Sequence, residues 1–183
     1  MLFYYDANAE ETPDMLADNL SRLLSSANIG NRPLIILCIG SDRSTGDSLG
    51  PLIGYKLSKM NLENVTVFGS LAAPIHAVNL EATLELIDAR YHHPYIIAID
   101  ASLGKRSHIG YITLGTGALT PGLGVKKELP EVGDLHITGI VNFSGVMDTL
   151  LLQTTRLSTI MTLADAIAEG LRNTFAKELA TYA

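Results

Sequence analysis

Two hydrophobic patterns take turns along this chain. Unbroken apolar runs mark strands buried on both faces of a sheet, and stripes at three- and four-residue spacing mark helices that bury one side. The run from Pro33 to Gly40, with Leu34-Ile35-Ile36-Leu37-Cys38-Ile39 inside it, is the clearest strand. Val65 to Gly69 is a shorter one, and Tyr95 to Asp100 is apolar until its final acid. Helical stripes fall between them: Leu16, Leu20, Leu23 and Leu24; then Leu49, Leu52, Ile53, Leu57 and Met60; then Leu80, Leu84 and Ile87. Thr12-Pro13-Asp14 reads as the start of the first helix, with Thr12 as N-cap, and Gly30 as a stop.

Further on, His108 to Leu114 and Leu135 to Val141 read as a fourth and a fifth strand. The link from Ala101 to Ser107 is too short for a helical crossover, so the third and fourth strands run antiparallel. From about Met147 to about Leu179 the pattern is helical, with a break near Gly170. Strands alternating with helices predict an α/β layer fold on a mostly parallel sheet, here as a single domain over residues 1–183. In such sheets ligands bind beyond the carboxyl ends of the strands, where strand order reverses.

Composition narrows the chemistry. The chain is 47% hydrophobic and 17% charged, which suits a folded core and excludes disorder. With 19 acids against 13 bases the net charge is −6 and no long basic run exists, so neither nucleic acid nor a membrane surface is an expected partner. Cys38 is the only cysteine, which excludes an internal disulfide and a thiolate zinc cluster. Residues 1–8 lack the pattern of a signal peptide, and Val146 to Ile167 is interrupted by charge, so a cytoplasmic protein is expected.

The segment Gly40-Ser41-Asp42-Arg43-Ser44-Thr45-Gly46-Asp47-Ser48-Leu49-Gly50-Pro51 follows the first strand and opens a helix. Three readings compete for it. A phosphate cradle would use its Gly, Ser and Thr, but the segment lacks the P-loop ending, and Asp42 and Asp47 repel anions. A serine esterase would use Ser48 in Gly46-Asp47-Ser48-Leu49, but no histidine follows His136 to serve as its base. A carboxylate pair would join Asp47 to Asp100 at the tip of a neighbouring strand. Two close carboxyls cannot both ionise easily, so one can act as base while the other donates a proton. Taken singly, each acid also suits a plain capping role.

The twelve-residue segment resembles that of YyaC-type sporulation proteins. Pro74 to Leu80, Ala98 to Ala101, Pro121 to Val125, Gly133-Asp134, Ile137 to Asn142 and Leu152 to Leu157 extend the resemblance over about Arg32 to Ala164. The same segments are more distantly similar to the germination protease of spores, and the hydrogenase maturation endopeptidases share the implied fold. The resemblance implies a three-layer α/β/α sandwich around a five-stranded mixed sheet, order 2-1-3-5-4, with the fourth strand antiparallel. It also implies a sporulation-associated endopeptidase with Asp47 and Asp100 as catalytic pair, acting on a peptide or spore protein inside the sporulating cell or forespore. A non-catalytic binding or regulatory module on the same fold is the alternative. The germination protease has a histidine where this chain has Thr120, and no histidine matches the nickel-recognising one of the maturation enzymes. No cofactor and no resident metal are therefore expected.

Around the pair, Ser41, Asp42, Arg43, Ser44, Thr45 and Ser48 are candidate supporting residues from the first loop. Arg43 suits either an ion pair with Asp42 or a substrate carboxylate. His76 follows the second strand and suits the site, or else a cap at Asn79. Asn142 ends the fifth strand, beside Asp100, where it would orient a substrate amide or serve a turn. The stripe Leu150, Leu157, Ile160, Met161, Ala164 and Ile167 reads as core with a possible partner face for a homo-oligomer. The long Gly- and Pro-rich stretch from Gly115 to Gly133 reads as a functional loop, with Lys126 and Lys127 as a solvated pair.

Overall fold

A computed structural model of the chain describes residues 1–60, 62, 64–122, 129–145 and 148–181. Six strands form one sheet: β1 (Leu2–Asp6), β2 (Leu34–Cys38), β3 (Val65–Phe68), β4 (Tyr95–Gly104), β5 (Tyr111–Thr116) and β6 (Leu135–Phe143). Their order is β1-β5-β6-β4-β2-β3. Strands β3, β2, β4 and β6 are mutually parallel, while β5 runs antiparallel to both β6 and β1. The five expected strands thus take the expected order. Only β1 is added, at the edge beyond β5.

Five helices cover the sheet: α1 (Thr12–Ser26), α2 (Leu49–Leu57), α3 (Leu80–Arg90), α4 (Asp148–Gln153) and α5 (Leu157–Thr181). Alternation along β4 splits the core in two. Ile97, Ile99 and Ala101 face one way and pack with Leu16, Leu20 and Leu24 of α1, Ile53 of α2 and Ile160, Leu163 and Ile167 of α5. Ala98 faces the other way with Ile35, Leu37, Ile39 and the α3 residues Leu80 and Ile87. These side chains are 0–3% exposed, or 6% for Ala101, and each large one contributes roughly 1.5–3 kcal/mol of transfer free energy. The apolar run of β2 follows directly: a strand with helices on both sides has no solvent face.

Several local expectations are corrected. The pattern predicts no element before Thr12, yet a strand forms at Leu2–Asp6. Phe3 packs towards the core and Tyr5 is buried, whereas Leu2 and Tyr4 face solvent, so β1 has the alternation of a half-buried edge strand. Thr12 does not cap α1. It lies inside the helix, and its hydroxyl donates to the Asp6 carbonyl at 2.5 Å, tying α1 to β1. The helix ends at Ser26, before Gly30. The C-terminal helical stretch breaks at Thr154 rather than Gly170. The Thr154 and Thr155 hydroxyls donate to the carbonyls of Leu150 (3.0 Å) and Leu151 (2.8 Å), closing the last turn of α4. Gly170 lies within α5, where a Cβ would come within 2.8 Å of the Leu16 side chain.

This topology sets the position of the site. From β2 the chain runs outward to β3, then crosses back over to β4 on the other side of β2. The order reversal lies between β2 and β4. Pairing of these strands ends at Cys38 and Ile99, but β4 continues to Gly104. Asp100 is therefore the first β4 residue beyond the end of β2, facing the crevice at the switch point.

Candidate active site

The loop after β2 turns sharply enough to bring its own acid back to the strand end. Gly40 donates its N–H to the Ile75 carbonyl (2.7 Å), Ser41 donates to the Asp47 carbonyl (3.0 Å), and Asp47 donates to the Ser44 carbonyl (3.1 Å). Gly40 has φ +141°, and a Cβ there would lie 2.0 Å from the Asp47 carbonyl oxygen. At Gly50 a Cβ would lie 2.0 Å from the Ile39 carbonyl oxygen. Both glycines are required by close backbone approach. Between them Asp47 sits in a 3-10 turn, Gly46–Ser48, that leads straight into α2.

Asp47 and Asp100 line one cavity of about 270 Å³. Asp100 is 7% exposed. Its Oδ1 accepts the Ala101 N–H at 2.7 Å. Burial and then the charge of Asp47 push its carboxyl well above the usual carboxylate range, with the Ala101 N–H only partly offsetting them. Burial also pushes the Asp47 carboxyl up to about 6, with the Ser41 N–H acting in the opposite direction. One group of the pair is therefore held protonated near neutral pH while the other ionises, and the protons belong to the pair.

Of the supporting candidates, Ser41, Arg43, Ser44 and His76 also line this cavity, while Asp42, Thr45, Ser48, Asn79 and Asn142 do not. Asp42 is exposed, and Arg43 forms no ion pair with it or with any other described residue. Ser48 is buried, and its hydroxyl donates back to the Thr45 carbonyl at 2.7 Å. It meets no histidine, which removes the serine-nucleophile arrangement. Asn79 works one step behind the cavity. Its Oδ1 accepts the His76 N–H (2.8 Å) and its Nδ2 donates to the Pro74 carbonyl (3.0 Å), fixing the loop that carries His76. The Val78 N–H donates to His76 Nδ1 (3.3 Å), which in the neutral ring leaves the proton on Nε2.

The sequence predicts Asn142 beside Asp100, but a β-bulge turns it away. The β4–β6 register is regular through Ser102 and Ile140, then shifts so that Asn142 pairs with Leu103 instead of Gly104. A one-residue slip moves a side chain to the other face of the sheet. Asn142 Nδ2 consequently donates to the Leu151 carbonyl (2.9 Å) and to Thr155 Oγ1 (3.2 Å). It anchors α4, and α4 supplies Leu152 and Gln153 to the cavity wall.

Those two residues, with Ala77, Val78, Pro121, Gly122 and Leu129, are further parts of the lining. Residue type alone does not mark them as site residues, although all but Leu129 lie in segments that carry the family resemblance. From the helical stripe, Ile160, Ala164 and Ile167 are core, while Leu150 and Leu157 are 48% and 59% exposed. Residues 123–128, which include Lys126 and Lys127, lie outside the described residues. Among the described residues no three His, Cys, Asp or Glu side chains are grouped to hold a metal ion, and no helix is long and apolar enough to cross a membrane.

Comparison with known proteins agrees with this architecture. The hydrogenase maturation protease HycI from Thermococcus kodakarensis has a similar fold, with a TM-score of 0.54 over 86% of this chain and 99% of that one, at 14% identity. The uncharacterized protein YyaC of Bacillus subtilis (strain 168) is 48% identical over 157 residues, 85% of this chain and 77% of that protein. The family described as Protein of unknown function (DUF1256) matches residues 1–170, and the chain belongs to that family.

Proposed function

We propose that the protein is a hydrolase of peptide bonds that works through Asp47 and Asp100. One observation carries this reading: two carboxyls from different elements line one cavity at the switch point of the sheet, and the charge of one raises the pKa of the other. The more buried Asp100 keeps its proton and donates a hydrogen bond to the substrate carbonyl. Asp47, ionised above about pH 6, takes a proton from an attacking water. Collapse of the tetrahedral intermediate then needs a proton on the leaving amine, which the newly protonated Asp47 returns. The fold of a maturation protease supports the assignment without carrying it, since one fold hosts many activities.

The substrate is a peptide or protein, and spore proteins are the first set to test, within a sporulating cell or forespore. Purified protein is incubated with a spore-protein extract and with a tryptic peptide library, and new termini are read by mass spectrometry. The expected result is a defined set of cleavages that vanishes in both Asp47→Asn and Asp100→Asn while each variant stays folded. Cleavage that survives in either variant refutes the pair.

A further inference from the structure

Past the tip of β2 the sheet leaves one side of β4 open. The backbone groups of a strand point alternately to its two neighbours. In β4 those of the odd-numbered residues face β2: the Tyr95 N–H donates to the Pro33 carbonyl (2.8 Å), and the Ile99 carbonyl accepts the Ile39 N–H (2.7 Å). Those of the even-numbered residues face β6. The Ile96 carbonyl accepts the Asp134 N–H (2.8 Å) at the foot of that strand. Beyond the bulge the Gly104 carbonyl accepts the Ser144 N–H (2.9 Å), so the alternation holds to the end of β4. The next residue after Ile99 on the β2 side is therefore Ala101, and β2 has already ended.

The Ala101 N–H is engaged by the Asp100 carboxyl, 2.7 Å away. Its carbonyl has no such partner: among the described residues no strand lies on that side of it and no loop N–H donates to it. Ala101 is only 6% exposed, yet it lines the same cavity as Asp47 and Asp100. Gly40 and Ser41, where the chain leaves β2, line that cavity too, so the cavity fills the gap between the open edge and the departing loop. A buried carbonyl without a donor is uncommon, because losing its water without a replacement costs free energy.

An open strand edge inside a cavity suits one kind of ligand. A peptide in extended conformation adds to a sheet edge through its main chain. A helical segment cannot, since its N–H groups are already bonded within it. The walls at Ile39, Val78, Leu129 and Leu152 are apolar and suit uncharged side chains along such a segment.

We propose that β4 docks its ligand by strand addition, with an extended peptide lying beside the strand beyond β2 and donating one main-chain N–H to the Ala101 carbonyl. The chain next to that bond then passes Asp100, so the sheet itself selects which peptide bond meets the carboxyl pair. Substrates are thereby narrowed to segments without secondary structure, with no proline at the docked residue. This rests on the hydrolase reading only for the cleavage step.

The probe is acetyl-Ala-Leu-Ala-Leu-Ala-amide, with five relatives that each carry a methyl on one residue nitrogen. Each is titrated to millimolar concentration into full-length Asp47→Asn protein labelled with carbon-13 and nitrogen-15, and chemical shifts are followed by NMR. The same titration of wild type, with turnover followed, guards against a misfolded variant. The parent is expected to bind and to shift the Ala101 carbonyl carbon. Methylation at one or two positions should weaken binding about tenfold or more, because it removes the donor, while the other positions tolerate it. No binding by the parent, equal affinity for all six peptides, or an unmoved Ala101 carbonyl overturns the docking edge. Docking to a protein whose wild type cleaves nothing leaves the edge standing and removes the peptidase. Cleavage that tolerates a methyl at every nitrogen but the scissile one keeps the peptidase and removes the edge.

Discussion

Asp134 comes just before the first rung of the β4–β6 pair and Asp100 stands midway along it, just past the end of β2, and their surroundings are opposite. Asp134 is met by donors. Its Oδ2 accepts the Ile96 N–H at 2.9 Å, and its Oδ1 lies 3.4 Å from Arg32 Nη2. Arg32 is itself tied down through hydrogen bonds to the carbonyls of His93 (2.9 Å) and Pro94 (2.8 Å) and by stacking over the Tyr95 ring. Asp100 is met by one backbone N–H, apolar neighbours and a second acid. The same side chain is a staple in one place and a proton store in the other. What differs is whether the fold supplies a cation or withholds one.

That contrast can be broken by substitution, and the largest effect is expected at the proton store. Asp47→Asn and Asp100→Asn should each lower the rate of peptide cleavage by about 10³-fold or more, since general acid–base groups contribute roughly 10²–10⁴. Initial rates and a far-ultraviolet circular dichroism spectrum on the same samples check this. In the wild type the rate should rise as pH passes through about 6, when Asp47 ionises, and fall at higher pH as Asp100 gives up its proton.

A stability effect of about 3 kcal/mol comes next. Asp47 holds its proton more tightly folded, at about 6, than its ordinary 3.8 in the unfolded chain. The folded state has that advantage in full below the unfolded value and loses it as pH climbs through the folded one. The gap amounts to about 3 kcal/mol by pH 8. Denaturant melts of wild type and Asp47→Asn at pH 4 and pH 8 should therefore diverge, with the variant more stable at pH 8. Parallel curves would show that the cavity solvates the Asp47 charge after all.

The staple should respond the other way. Asp134→Ala leaves the Ile96 N–H and the Arg32 guanidinium short of a partner and should cost about 1–3 kcal/mol at neutral pH. Since Asp134 is half-exposed and outside the cavity, cleavage per folded molecule should not change. The smallest effect belongs to Ser48→Ala. It removes one hydrogen bond to the Thr45 carbonyl, about 1 kcal/mol, and leaves cleavage in place. A fluorophosphonate adduct on Ser48 would contradict the hydrogen-bonded geometry.

Much of this arrangement is legible in the residues. The apolar runs of β2 and β4 announce a covered parallel sheet, and the short link after Asp100 makes β5 run opposite to β4, although β6 comes to lie between the two. Asp47 and Asp100 can be picked out because both follow such runs. What stays hidden is set by geometry beyond the local pattern. β1 is a five-residue edge strand whose alternation carries weight only once β5 is there to pair with it. Thr12 has the look of a cap, but the incoming strand offers its hydroxyl a better acceptor at Asp6. Asn142 is one bulge away from the expected face, and no residue type marks a bulge between Ser102 and Leu103. Leu152 and Gln153 reach the cavity only because Asn142 and Thr155 hold α4 there.

The two glycines at Gly40 and Gly50 have a wider consequence. The frame that aims Asp47 is backbone lying against backbone, so the acid's position depends on atoms these two residues lack. The surfaces that a ligand would touch, at Arg43 in that loop and at Val78 and Gln153 from other elements, are side chains. Point mutation can redraw the second without disturbing the first. A lineage with this loop can thus change what it recognises while the carboxyl pair stays in register, and its members should differ in taste sooner than in chemistry.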